Sequence, residues 1–402
     1  MTLSMTFRLR ASGFAFLLAG SLVWAASMCA AEALPSQSAS QAEKRSGADS
    51  ITVVIGSAAP LSGPLAVYGE DNTDGVRMAI DDLNKQDIVI GGKKVIWRID
   101  AQDDRADPVQ AVRVAREFVD AHVNGVVGHL DSASTAAAAP IYFKAGIPEI
   151  TPSSSDPAIA QQGFSTFYRI IANDYAIGAG VALYAEKGLK AKTAIVIDDG
   201  ALYGRSVAHA FERVARQGGL QILERDTLGA SGDTADMLGR IKAAHPDVVF
   251  FGGMATQAAP LLRQMREMGI KAHFLGGDGI CTPAFSKLAG SAADSDVVCA
   301  DGGLPVSRMP GGEAWKQRFV AEFGAHVFQL YSPYAYDATM VLAHAMMKAD
   351  STDPRVYAPF IRDLGYDGVT KTDIRFNRDG ELVAPSITIS SFPQGRKTAL
   401  NH

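Results

Sequence analysis

A rhythm in the sequence constrains this chain more than any single motif. Short runs rich in β-branched residues, each closing in glycine or a small polar loop, alternate with stretches of helical apolar spacing. Ile51–Gly56, Val95–Ile99, Val126–Gly128, Ile147–Ile150, Thr193–Ile197, Val248–Gly253 and Ala272–Gly276 are the strand-like runs. They lack an apolar/polar alternation, which marks strands buried on both faces and hence a parallel sheet covered by helices. Between the first two, Val76, Ala79, Ile80 and Leu83 form the stripe of a helix over Gly69–Leu83. Strand, turn and helix repeat roughly every 25 to 35 residues, the signature of α/β architecture.

Two such series follow one another, Ile51–Ile171 and Asn173–Gly279. A third portion has helices over Glu313–Phe323 and Pro333–Lys348, then strand-like Ile374–Phe376 and Ser386–Ile389, which must join a sheet that already exists. The expected fold is α/β with two Rossmann-like lobes of parallel-type sheet, residues 51–172 with 304–384 and residues 173–303 with 385–402, joined by a hinge that the chain crosses more than once.

Within the first series, Asn124–Ser155 holds two strand-to-helix turns of the same kind back to back. One carries Ser132, Ser134 and Thr135, the other Thr151 and Ser153, Ser154 and Ser155. Helix N-termini present free N–H groups and partial positive charge, so two neighbouring ones make a cradle for a carboxylate or phosphate. Hydroxyls there also serve as ordinary N-caps. Asp103, Asp104 and Asp107 before Pro108 lack the spacing and distal Glu of a calcium loop and fit a helix start instead.

The N-terminus carries an address. Arg8 and Arg10, the apolar run Phe14–Ala26 and Ala31-Glu32-Ala33 have the three regions of a cleaved secretory signal peptide, residues 1–33. Residues 34–50 read as a flexible leader, polar and without apolar period. Cys29 lies in the signal region, after Met28 rather than the small residue a lipoprotein signal needs. Export to the periplasm as a monomer is the expectation. Loss of Arg8, Arg10 and Glu32 takes the formal charge from −5 to −6 with no basic run, which argues against nucleic-acid binding. Of three cysteines, Cys281 and Cys299 remain; both fall in a loop-rich region and are close enough to close a short ring, so a bridge between them is expected, with two buried thiols as the alternative.

No catalytic motif is present: neither G-x-S-x-G on an elbow, nor H-E-x-x-H, nor a phosphate loop, nor a dinucleotide fingerprint. The eight histidines are scattered and form no metal-ligand pattern, and no cofactor is implied. Strand ends do offer hydroxyls, Tyr203, and Asp278 between Gly277 and Gly279. Flanking glycines allow close backbone approach and leave the carboxylate uncrowded. An acid from one lobe facing a hydroxyl and N–H cradle on the other would hold an α-ammonium and an α-carboxylate together, a receptor for a zwitterion; taken alone, Asp278 between glycines reads equally as a turn acid.

From Ile51 to Phe392 the chain resembles the branched-chain amino-acid (Leu/Ile/Val) binding proteins of ABC importers, which have the type I periplasmic binding protein fold. The resemblance is carried by Pro60-Leu61-Ser62-Gly63-Pro64 with Tyr68-Gly69, Asp103-Asp104 with Asp107-Pro108, Gly128-His129-Leu130 with Ser132–Thr135, Ile150-Thr151-Pro152, Tyr203-Gly204, Gly252-Gly253 and Gly276-Gly277-Asp278-Gly279. It implies that Ser132 and Ser155 hold the ligand α-carboxylate. The Ser153 carbonyl, the Ser155 hydroxyl and Asp278 take the α-ammonium, Tyr203 closes from the second lobe, and Ser154 and Met254 complete the pocket together with Tyr68, which taken alone at the edge of its helix reads as a packing residue. Cysteines that the family pairs would fall at Ala106 and Asp131, Tyr is replaced by Met254, and Asp131 puts a charge beside the cradle. The implied partners are an amino acid and the permease subunits of an inner-membrane ABC importer. A ligand-sensing module of a signalling system is the alternative that the same fold allows.

Overall fold

The computed structural model describes residues 50–229, 234–294 and 296–400; the signal peptide and nearly all of the leader expected above lie outside them. Strands are β1 (Ser50–Ala59), β2 (Val89–Ile90), β3 (Lys93–Asp103), β4 (Gly125–Gly128), β5 (Glu149–Thr151), β6 (Phe167–Arg169), β7 (Thr193–Asp198), β8 (Gln221–Thr227), β9 (Val248–Gly252), β10 (His273–Gly276), β11 (Val297–Asp301), β12 (Thr388–Ser391) and β13 (Thr398–Ala399). Helices are α1 (Ala66–Asn84), α2 (Pro108–Asp120), α3 (Ser132–Ala145), α4 (Pro157–Ala160), α5 (Asp174–Lys187), α6 (Leu202–Gln217), α7 (Ala235–Ala244), α8 (Ala255–Glu267), α9 (Pro283–Ala289), α10 (Gly312–Phe323), α11 (Ser332–Ala349) and α12 (Pro354–Ile361).

Two sheets result. The first runs β2-β3-β1-β4-β5-β6 and the second β13-β12-β11-β10-β9-β7-β8. Pairings are parallel except at β2–β3 and where β12 and β13 extend the second sheet antiparallel from β11. In the first sheet α1 and α11 bury Val76, Leu83, Val341 and Leu342 with Val53 and Ile55 on one face, while Val114, Phe118 and Tyr142 of α2 and α3 cover the other. The second sheet is sandwiched in the same way, α5 and α6 opposite α7, α8 and α9. Burial on both faces is what the unbroken β-branched runs required.

Of the two late strand-like segments, Thr388–Ser391 joins the second sheet as expected, in register with Cys299 and Asp301. Ile374–Phe376 does not become a strand; it makes only isolated bridges, Tyr366 with Ile374 and Phe376 with Leu382. Apolar residues there, Ile374 and Phe376, are buried against the first sheet's core rather than laddered into it. The three crossings between the sheets run side by side: Ala172 N donates to the Gly302 carbonyl at 3.0 Å and Thr388 Oγ1 to the Gly303 carbonyl at 2.7 Å.

The sulfurs of Cys281 and Cys299 are bonded, with Cα atoms 5.3 Å apart. The loop-rich setting expected for both holds only for Cys281. Cys299 is a fully buried residue in the middle of β11, paired with Gly276 of β10.

Candidate functional site

Parallel strands release their loops at one edge, and ligands of such sheets gather where the strand order reverses. Those points lie between β1 and β4 in the first sheet and between β7 and β9 in the second. A cleft of about 450 Å³ opens there. From the first sheet it is lined by Pro64 and Leu65 after β1, Arg105 and Ala106 after β3, Leu130–Ala133 after β4, and Ser153 and Ser154 after β5; from the second by Asp199 and Ala201–Tyr203, Met254, Thr256 and Gln257, and Asp278. Tyr331 completes the wall.

The hydroxyl cradle is a connected network. Thr151 Oγ1 donates to the His129 carbonyl at 3.0 Å and accepts the Ser154 N–H at 2.9 Å, while Ser153 Oγ donates to the Leu130 carbonyl at 2.9 Å. Ser132 Oγ accepts from Asp156 N at 3.3 Å and lies 3.4 Å from Ser154 Oγ. Asp131, the charge that the sequence left without a role, is the N-cap of α3: its Oδ1 accepts from Ala133 N at 3.0 Å and Ser134 N at 2.9 Å. Burial raises its pKa, and Ser134 tempers the rise. The N–H of Ser132, first residue of the helix, has no intrahelical acceptor.

Facing this, Asp278 is fully buried and held by two phenols. Tyr203 Oη donates to Oδ1 at 2.7 Å and itself accepts from Gly279 N at 2.9 Å, and Tyr331 Oη donates to Oδ2 at 3.1 Å. Burial pushes Asp278 up to about 6, the two phenols pull against that rise, and Asp301 adds to it. Gly277 and Gly279 make room for protein rather than for a ligand. A Cβ at Gly277 would stand 2.7 Å from Tyr203 Oη, and one at Gly279 would stand 2.6 Å from the Gly253 carbonyl.

Behind Asp278 lies a second acid, Asp174, beside the cap of α5. Asn173 is the cap of α5, with its side chain accepting from Ala176 N, whereas Asp174 is fully buried with neither oxygen hydrogen-bonded. Burial pushes Asp174 up to about 8; Ser206 and Ser155 lie near enough to temper the rise, the charge of Asp278 adds to it, and Arg169 opposes it. Arg169 is itself buried, donating to the Asp156 carbonyl at 2.7 Å with Glu381 3.4 Å away. The Ser155 hydroxyl is buried and without a partner.

The structure therefore brings Ser132, Ser153, Ser154, Tyr203, Met254 and Asp278 to one cleft. Ser155 sits behind that lining, on the Asp174 side. Tyr68 does not line the cleft: it is fully buried, its hydroxyl 3.2 Å from Thr282 Oγ1, and burial raises its pKa to about 12. It lies on α1 and belongs to a buried apolar cluster that also includes Leu130 and Phe285. Tyr331, Asp174 and Gln257 were not singled out from the sequence. Tyr331 could have been found by the rule that found the serines, because it stands directly before a helix start.

Residues 52–390 match the model of a periplasmic binding protein family. An amino acid binding protein of Pseudomonas aeruginosa is 34% identical over 312 residues, 77% of this chain and 82% of that one. A leucine-, isoleucine-, valine-, threonine- and alanine-binding protein of the same organism is 31% identical over 336 residues, 82% and 87% of the two chains. Among solved structures, a leucine binding protein from Thermotoga maritima superposes with a TM-score of 0.79 at 23% identity, covering 87% of this chain and 98% of that one. An ABC transporter substrate-binding protein from Desulfitobacterium hafniense in complex with Leu gives 0.71 at 25% identity, covering 87% and 100%. With the family model spanning most of its length and relatives above 30% identity covering most of both chains, the chain belongs to the periplasmic binding protein family.

Proposed function

We propose that this protein is a periplasmic solute-binding protein that closes two α/β lobes, residues 51–172 with 304–384 and 173–303 with 385–402, around an amino acid and delivers it to the permease of an ABC importer. It acts as an exported monomer and makes or breaks no bond. The observation that carries the reading is the buried pairing of opposite needs across one cleft. Asp278 and Asp174 form an acidic end, where both Asp174 oxygens and the Ser155 hydroxyl have no partner; across from them is the α3 N-terminus with Ser132. A buried carboxylate without a cation is costly, and an ammonium group supplies one.

In the bound state the ammonium would lie among Asp278, Asp174, the Ser155 hydroxyl and the Ser153 carbonyl, and the carboxylate would take the N–H and hydroxyl of Ser132 and the N–H of Ser155. The relatives named for leucine, isoleucine, valine, threonine and alanine support an α-amino acid. Leu65, Leu130, Leu202 and Met254 give the cleft apolar walls, while Arg105, Thr256 and Gln257 leave it a polar margin. Contacts to both lobes make ligand binding favour the closed state. Isothermal calorimetry of the mature protein against a panel of L-amino acids, with threonine and glutamine beside the branched-chain ones, tests this. Heat of binding from at least one is expected, and silence across the panel would sink the amino-acid assignment.

A further inference from the structure

Asp71 is buried within α1, away from the cleft, yet its carboxylate accepts four successive backbone N–H groups. Oδ1 takes Gln329 N at 3.0 Å, and Oδ2 takes Leu330 N at 3.0 Å, Tyr331 N at 2.6 Å and Ser332 N at 3.1 Å. These residues run directly into α11, so the negative charge also stands at that helix's N-terminus, where it is favoured. Two side chains of the pinned segment then cross to the chain that follows β10. Tyr331 Oη donates to Asp278 Oδ2 at 3.1 Å, and Gln329 Oε1 accepts from Ala284 N at 3.1 Å. One turn before Asp71 on the same helix, Tyr68 meets Thr282 in the same way.

We infer that Asp71 is a positioning residue for the ligand site: by fixing residues 329–332 it holds the Tyr331 phenol against Asp278 and thereby sets the charge state of the acid at the centre of the cleft. The two oxygens of Asp278 are held from opposite sides. Tyr203 stands on α6, over the same sheet that carries Asp278, so that bond is independent of lobe closure. Tyr331 belongs to the segment leading into α11, over the other sheet, so its bond spans the two lobes and depends on the Asp71 clamp. The remaining titratable groups around Asp278 are Asp174 from α5, Asp301 from β11 with its partner Lys397 at 2.7 Å, and Tyr334 of α11. None of these donates to Asp278, so nothing replaces Tyr331 when it is displaced. Its loss removes a hydrogen bond to the ionised form and makes Asp278 harder to ionise.

The role of Asp278 in ligand binding rests on the proposed function above; the effect on its titration does not. Wild type, D71N, Y331F and the double variant are compared by carboxyl 13C NMR titration of Asp278 in the ligand-free mature chain, and by calorimetry with L-leucine at pH 7. Both single variants are expected to move the Asp278 midpoint upward by roughly one pH unit or more. The double variant should move it no further than Y331F alone. Affinity for leucine should fall about tenfold or more in each single variant, again without addition in the double. If D71N fails to fold, D71E, which keeps the charge but overshoots the four N–H groups by a methylene, carries the same expectation. A purely structural Asp71 would lower the urea midpoint while leaving the Asp278 titration at its wild-type position. That outcome, or a shift that adds to the effect of Y331F, overturns the inference. If leucine and the rest of the panel fail to bind wild type while the titration shifts appear, the amino-acid assignment falls and the positioning role stands.

Discussion

Asp278 and Asp174 are two buried acids with unequal support, and that inequality assigns them different states. Asp278, held by two phenols and raised only to about 6, is mostly ionised at pH 7, whereas Asp174, pushed to about 8 by burial that Ser206 and Ser155 only temper, is mostly protonated. An incoming ammonium favours both carboxylates, so binding at pH 7 should release a proton from Asp174. Calorimetric enthalpies in buffers of different ionisation heat will show this as a buffer-dependent signal; D174N should remove it, and an unchanged dependence would rule Asp174 out as the source. Asp278→Ala should weaken binding by about 2 to 5 kcal/mol, the range for truncating one partner of a buried charge pair. An unaltered dissociation constant would show the ammonium site to be elsewhere. The neighbouring Asp103, Asp104 and Asp107 show how little residue type alone decides. Read together they look like a helix start, but only Asp107 caps α2, accepting from Val109 N at 2.8 Å. Asp103 ties down the β1 loop through Leu61 N at 2.8 Å, and Asp104 is buried against His129 Nδ1 at 2.7 Å, whose other ring nitrogen meets Tyr142. Three identical side chains within five positions have three roles, fixed by what packs over them.

At the level of elements, the strand ends carry the site and the connections between them carry its precision. The disulfide links the turn just after Asp278 to the centre of β11, closing a loop with a sequence separation of 18 residues. Replacing Cys281 and Cys299 by serine should cost roughly 2 to 4 kcal/mol of stability by the chain-entropy account. A urea melt with the midpoint unchanged would show that the bridge constrains nothing. The periodic elements were legible because burial on both faces of a parallel sheet leaves an unbroken apolar run and a covering helix leaves a stripe. Ile374–Phe376 was misread for a related reason: its apolar alternation reflects packing against a core, and periodicity in so short a run does not distinguish that from laddering. Tyr331 bears the local mark of a residue before a helix start, but its placement against Asp278 depends on Asp71, some 260 positions earlier in the chain, a separation no local pattern records.

For the whole molecule, raised carboxyl pKa values have a consequence for stability. Asp174, Asp278 and Asp337, the last pushed to about 6 by burial, keep their protons in the folded chain at pH values where the unfolded chain has lost them. Their contribution to stability is fully present below the ordinary carboxyl range and is lost as pH rises through about 6 to about 8. The ligand-free protein should therefore lose stability between pH 5 and 8, each such proton contributing about 1.4 kcal/mol per pH unit where it is bound by the folded chain alone. D174N should flatten the upper part of that slope, and urea melts at half-unit pH steps measure it; a slope rising with pH would contradict the assignment of these groups. Saturating ligand, by supplying the missing cation, should shallow the slope as well. By itself the sequence determined the two lobes, the edge at which their loops emerge, and the serines and Asp278 at that edge, because strand burial, helix stripes and helix-start chemistry are local and leave periodic or positional marks. Only the tertiary structure decided that Tyr68 turns into the core, that Asp131 caps α3, that Asp174 stands unpaired behind Asp278, and that Tyr331 reaches it from the other lobe. Those outcomes depend on burial and on contacts between distant segments, and the free energy of a buried charge is set by everything around it rather than by its neighbours in the chain.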